Sequence, residues 1–117
     1  MIYLTLEDLL TICQRADWGP VRDVGLLESA VRRPATSAFG MDAYPTLIGK
    51  AAALLQSLCG NRALVDGTKR LAWTATDVFL RLNDVLEATD DDAESFMMRV
   101  AAGTVGLEDI MTWLAKH

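Results

Sequence analysis

This sequence is short of the groups that enzymes most often use to move protons. Its one histidine, His117, is the last residue, where a chain frays, so a mechanism needing a well-placed imidazole has little to draw on. The two cysteines, Cys13 and Cys59, lie far apart on otherwise apolar helical patterns and read as buried free thiols rather than a disulfide or a reactive pair. Only 3 prolines interrupt the 117 residues, and no repeat or low-complexity tract occurs, which argues against a disordered or fibrous chain. No run of Lys or Arg is found. With 16 acidic against 11 basic residues and a net charge of −5, the chain lacks the basic footprint that direct nucleic-acid binding requires. It also lacks the stretch of about 18 uninterrupted apolar residues that a membrane span needs. Its first apolar stretch is broken by Glu7 and Asp8 and has no basic leader, so the expectation is a cytoplasmic protein.

What is present is apolar bulk, 51% of the residues, in a chain near the commonest domain size, and this predicts one domain over 1–117 around one core. Leu6, Leu9, Leu10 and Cys13 recur at helical spacing after Thr5, which with Asp8 resembles a capping box, and predict a helix to about Arg15. Asp23 caps a second helix carrying Leu26, Leu27, Ala30 and Val31, which Pro34 ends. Residues 34–43 have no sustained period and read as an irregular surface loop. Pro45 suits the first turn of a third helix with a stripe of Ile48, Ala51, Leu55 and Leu58 and a stop at Gly60. Leu71, Ala75, Val78, Phe79 and Leu82 mark a fourth and central helix from Thr68. Asp90-Asp91-Asp92 starts a fifth carrying Ala93, Phe96, Met97 and Val100, and a sixth runs from about Gly106. The fold class is an all-α, single-domain six-helix bundle, with at most a minor two-stranded pairing of Ile2–Leu4 against Val85–Leu86.

The segment N61-R-A-L-V-D-G-T-K-R70 carries the chemistry. Gly67 precedes a helix start, leaving the first-turn amides of Thr68, Lys69 and Arg70 outside the helical ladder. Those donors, the positive end of the helix dipole and two cationic side chains suit a phosphate chain, and Asp66 can offer oxygen to Mg²⁺. An ordinary capped helix with solvated charges accounts for the same residues. The order Gly-Thr-Lys, with Gly60 too far upstream, is not that of a P-loop.

The blocks V24-G-L-L-E-S-A-V-R-R-P34, F39-G-M-D-A-Y-P-T-L47, K50-A-A-A-L-L-Q-S-L58 and V65-D-G-T-K-R70 resemble, in order and spacing, the Doc (death-on-curing) branch of the Fic/Doc family over about half the chain. The resemblance implies an all-α toxin that uses ATP to phosphorylate a translation elongation factor, held in check by a Phd-type antitoxin; Fic relatives transfer AMP instead. The family loop reads H-P-F-x-D-G-N-K-R. Carried over, its histidine falls on Arg62, its proline on Ala63, its phenylalanine on Leu64 and its asparagine on Thr68. Asp66 resembles the metal-associated acid, while Gly67, Lys69 and Arg70 resemble the phosphate-binding positions.

In the family the histidine is the base of the transfer, and Arg62 cannot replace it, since a guanidinium stays protonated and offers donors but no acceptor. Losing one positioned base is worth roughly 10²–10⁴ in rate. Two functions follow as expectations: an attenuated Doc-like enzyme using ATP and Mg²⁺, or a catalytically silent module that keeps antitoxin and nucleotide binding. Trp18, Trp73 and Trp113 read as core-edge aromatics and Met97-Met98 as packing or a partner groove. The stretch from Thr104 to Asp109, compared with the inhibitory-helix motif of Fic relatives, reads as an ordinary helix start.

Overall fold

The chain's local signals place its helix boundaries, and tertiary packing then decides which helix lies innermost. The computed structural model describes residues 1–85 and 93–116, and within them are six α-helices: α1 (Leu6–Ala16), α2 (Val24–Arg32), α3 (Leu47–Asn61), α4 (Thr68–Leu82), α5 (Ala93–Ala101) and α6 (Leu107–Lys116). The capping box at α1 is present in both directions, Asp8 N–H donating to Thr5 Oγ1 at 3.2 Å and Thr5 N–H to Asp8 Oδ2 at 2.8 Å. At α2 the Gly25 N–H donates to Asp23 Oδ1 at 2.9 Å, as the sequence predicts. The start of α6 is an ordinary one, with the Gly106 N–H donating to Asp109 Oδ2 at 3.1 Å.

α3, rather than α4, is the central helix. Ala51, Ala52, Ala53, Leu54, Leu55, Leu58 and Cys59 are all buried, so its apolar surface runs round the helix instead of along one stripe. α2, α4, α5 and α6 all pack against it. α4 buries Leu71, Ala75 and Phe79 as expected, but Leu82 is exposed, Val78 is half-buried, and Ala72, Thr76 and Leu80 are inside. Thr76 satisfies its buried hydroxyl by donating to the Ala72 carbonyl at 2.7 Å.

Several boundaries differ from the sequence reading. Thr46, not Pro45, begins α3: its Oγ1 accepts from the Gly49 N–H at 3.0 Å, and Pro45 lies just outside the helix. Gly60 does not stop α3, which continues through Asn61 to a left-handed C-cap at Arg62. Of the expected pairing of Ile2–Leu4 with Val85–Leu86, the described residues Ile2–Leu4 and Val85 carry no strand. The Asn83 side chain instead brackets Ile2, accepting from its N–H and donating to its carbonyl, both at 2.8 Å. Leu86, Asp90-Asp91-Asp92 and His117 lie outside the described residues.

The small sheet falls in the stretch read as irregular. After a 3₁₀ turn at Arg33–Ala35, β1 (Ser37–Ala38) pairs antiparallel with β2 (Met41–Asp42) across Phe39 (φ 55°) and Gly40 (φ 76°). Two consecutive positive φ values are the type I′ geometry that matches strand twist, and here one of them falls on a phenylalanine. The hairpin is tied to the core from below. Lys50, only 3% exposed, donates its ammonium to the Tyr44 carbonyl and, at 3.4 Å, to Asp42 Oδ2. Arg33 holds the Tyr44 hydroxyl at 2.9 Å.

Candidate functional site

Two chain segments that sequence spacing does not connect, 18–23 and 61–70, meet to form the site. Arg62 caps α3 at φ 52° and ψ 44°, a conformation that costs a residue with a Cβ roughly 1–2 kcal/mol. Neighbouring bonds hold it there. Asn61 Nδ2 donates to the Leu26 carbonyl at 3.0 Å, its Oδ1 accepts from the Ala63 N–H at 3.1 Å, and Arg22 Nη2 donates to the Arg62 carbonyl at 2.9 Å. Beyond the cap the loop is stitched to the α1–α2 connector. The Arg22 and Asp23 N–H groups donate to the Ala63 carbonyl, Val65 N–H donates to the Pro20 carbonyl, and Val21 faces Leu64 in an antiparallel bridge. Ala63 and Leu64 point into the core, so they anchor the loop, while Arg62, Val65, Asp66, Lys69 and Arg70 are exposed.

Gly67 turns the chain into α4 at φ 94°, and a Cβ built on it would stand 2.9 Å from Trp18 Cβ and Cγ. Both conformation and close approach therefore demand glycine. No side chain caps α4; its ladder begins with Leu71 N–H to the Gly67 carbonyl at 2.8 Å, leaving the amides of Thr68, Lys69 and Arg70 in the unpaired first turn. The Thr68 hydroxyl donates back to the Leu64 carbonyl at 3.3 Å, so its proton serves the loop rather than a ligand. Asp66 and Arg70 form an exposed ion pair at 3.3 Å, and the Arg70 guanidinium lies 5.5 Å from the Trp18 ring centre.

Two contiguous clefts flank this helix end. The smaller, about 290 Å³, is lined by Arg22, Arg62, Asp66, Lys69 and Cys59 among others. The larger, about 610 Å³, has Arg70, Trp73, Glu94 and Met97 on its walls, and both clefts share Asp66 to Lys69. Burial pushes the Cys59 thiol up to about 12, against a smaller lowering by the Lys69 charge, and Cys59 Sγ lies 3.5 Å from Met97 Sδ. A thiol held protonated in this way is no nucleophile at neutral pH.

The sequence pattern of the Fic/DOC family matches residues 3–80. Toxin Doc of Mycolicibacterium smegmatis (strain ATCC 700084 / mc(2)155) is 51% identical over 118 aligned positions, covering 97% of this chain and 91% of that protein. This chain belongs to the Fic/DOC family. Its place there is on the Doc toxin branch. The matched stretch takes in the loop between α3 and α4 with its strained cap, Arg62.

The sequence brings Asp66, Gly67, Thr68, Lys69 and Arg70 to one helix end, and the structure keeps them there. The residues it did not tie to the site are Trp18 and Arg22, and it gave Asn61 no role of its own. Trp18-Gly19-Pro20 is legible as a break between helices, but nothing in its spacing ties it to Gly67. As a site for phosphate, the end of α4 fits: orphan amides, Lys69 and Arg70 converge on it. For a metal, Asp66 is the carboxylate of the smaller cleft, with Glu94 on the wall of the larger one, and no group of three metal-binding side chains occurs among the described residues. Mg²⁺ commonly keeps its waters and adds one or two carboxylates to substrate phosphates, so Asp66 suits it when phosphates share the site.

Proposed function

We propose that this chain is the toxin component of a toxin–antitoxin module and binds ATP with Mg²⁺ at the start of α4. Its transfer of a phosphoryl group, or of AMP, onto a translation elongation factor is attenuated by Arg62. The observation that carries this reading is the chemistry of the smaller cleft. Where the family motif has a histidine, the cleft presents a guanidinium, and no neighbouring group takes its place as a base. Asp66 is engaged by Arg70, and Cys59 keeps its proton. Lys69, Arg70 and the first-turn amides hold the phosphates, Asp66 turns to the metal they carry, and the target hydroxyl lacks an acceptor for its proton. A rate lower by roughly 10²–10⁴ than that of a histidine-bearing relative is the consequence.

The β1–β2 hairpin serves as a flap that positions the target peptide. Phe39 at its tip is fully exposed and Met41 nearly so, an arrangement that gives a folded monomer nothing but suits a bound chain. A Phd-type antitoxin provides control by covering the site.

The second reading, a silent module that retains antitoxin and nucleotide binding, draws on the same absence of a base. Expression without an antitoxin separates the two. The chain as written arrests growth weakly, and Arg62→His combined with Thr68→Asn restores arrest together with ATP-dependent modification of a translation factor. Histidine is among the residues that enter left-handed conformation more readily, so the cap tolerates the exchange. If the unaltered chain is already as toxic as the double variant, another group carries the proton and the attenuated reading fails. If the double variant stays silent while ATP still binds, the module reading stands.

A further inference from the structure

Residues 35–43, which hold the β1–β2 hairpin and its flanks, are exposed at every position, so the hairpin has no buried side chain of its own. An isolated two-stranded hairpin is marginal in water. Its pose is set by two cations that reach it from the core side. At its entrance Arg33 of the 3₁₀ turn donates to the Ala53 carbonyl at 3.2 Å and to Ser57 Oγ at 3.0 Å, both on α3, and to the Tyr44 hydroxyl at 2.9 Å. At its exit Lys50 of α3 donates to Asp42 Oδ2 at 3.4 Å and to the Tyr44 carbonyl. Arg33 is half-buried, whereas Lys50, 3% exposed, is the one buried charged side chain among the described residues. An ammonium in that place is costly, and α3 has no need of it: methionine, of similar length and without a charge, fills the same space. Asp42 has no need of it either, since its carboxylate is 58% exposed and open to water. What the pair joins is the second strand of the hairpin to the first turn of α3.

We propose that Lys50 is a positioning residue for target capture: its buried ammonium fixes β2 on α3 and so fixes where Phe39 and Met41 stand. The proposal rests on the reading of the hairpin as a flap and names the residue that gives the flap one orientation. A hydrogen bond from a charged donor is stronger than a neutral one, and stronger again where water is excluded, so a single ammonium at the base orders a strand that its own side chains leave loose. α3 carries Lys50 in its first turn and leads to the Arg62 cap at its other end, so the flap and the smaller cleft are both referred to one rod. Ordering the tip in advance removes part of the entropy loss that would otherwise oppose the binding of a peptide. The charge at position 50 serves binding rather than folding.

Urea unfolding, amide hydrogen exchange and capture of a purified translation elongation factor, all on the full chain, test the proposal. Lys50→Met keeps the urea midpoint of the parent or raises it, because Asp42 turns to water and no buried charge is left without a partner. In the same variant the amides of β1, β2 and Ala43 exchange about tenfold faster while those of α3 do not change, and affinity for the factor falls about tenfold. Asp42→Asn, an exposed change, loosens the hairpin in the same direction by a smaller factor and tests the attachment independently of how position 50 packs. A hairpin that exchanges at the parent rate in Lys50→Met and in Asp42→Asn overturns the proposal, since neither partner then holds it. A urea midpoint that falls together with faster exchange throughout α3 overturns it too, because Lys50 then serves the core. If Phe39→Ser with Met41→Ser abolishes capture while Lys50→Met does not, the flap reading stands and the role of Lys50 in it fails. If the parent captures no factor, or the tip variant captures it as the parent does, the flap reading falls and the proposal falls with it.

Discussion

Gly67 shows how tightly single residues are specified around the candidate site. A methyl group there meets Trp18 at 2.9 Å and must also adopt φ 94°. Gly67→Ala is therefore expected to cost about 2–5 kcal/mol, the sum of left-handed strain and overpacking, read as a lower urea midpoint. Adding Trp18→Ala to it removes the contacts with Cγ and Cδ1 but leaves the one with Cβ, which alanine keeps, so the increment from Gly67→Ala shrinks only in part and stays above the roughly 1–2 kcal/mol of left-handed strain. Cys59 makes a different kind of demand. Its thiol, ordinarily near 9.0, is pushed up to about 12 in the fold, so the unfolded chain loses its proton first as pH rises. Stability is complete below pH 9 and declines between there and about 12, at a slope of up to about 1.4 kcal/mol per pH unit. Burial raises Cys13 as well, so it adds a slope of the same sign. Urea unfolding at pH 8, 9 and 10 should show the decline in the parent chain and a shallower one in Cys59→Ala.

Among the elements, the β1–β2 hairpin separates anchored residues from exposed ones most cleanly. Its tip residues touch solvent, while its base is held by Lys50 and, through Tyr44, by Arg33. Replacing Phe39 and Met41 together by serine should leave the melting temperature within a degree or two, as expected of exposed positions, and abolish capture of the target peptide in a pull-down. A large fall in melting temperature would make the tip part of the fold instead. The hairpin also marks the limit of what the sequence disclosed. The starts of α1, α2 and α4 were legible, because Thr5 with Asp8, Asp23, and Gly67 before Thr68 act over three or four residues, whereas α3 begins at Thr46 and not at Pro45. The end of α3 and the sheet were not legible. A glycine at position 60 is a local stop signal, yet Asn61 and Arg22 supply bonds that carry α3 one residue further, and those bonds come from 35 and 40 residues away. The same holds for the site. Its helix-end residues were contiguous and so visible, whereas Trp18 and Arg22 reach it through tertiary pairing with Ala63 and Leu64 that no period records.

At the scale of the whole molecule, α3 is enclosed by its neighbours, and the aromatic residues lock the later helices together. Trp113 of α6 stacks on Phe96 of α5 with ring centres 4.3 Å apart and meets Trp73 of α4 edge-on at 5.3 Å. Trp113→Ala should cost about 3–5 kcal/mol in chemical denaturation, loosening α6 from the bundle before the α3–α4 pair. The first residues are secured differently, by the Asn83 amide bracketing Ile2 while Asn83 also donates to the Phe79 carbonyl at 2.9 Å. Asn83 follows the last turn of α4, and the clefts open at its first. A helix of 15 residues is about 22 Å long, so Ile2 is moored at the far end of the rod from the turn at Gly67. An affinity tag or fluorophore joined ahead of the exposed Met1 would accordingly ride on the opposite pole of α4, leaving both clefts open during immobilisation or imaging.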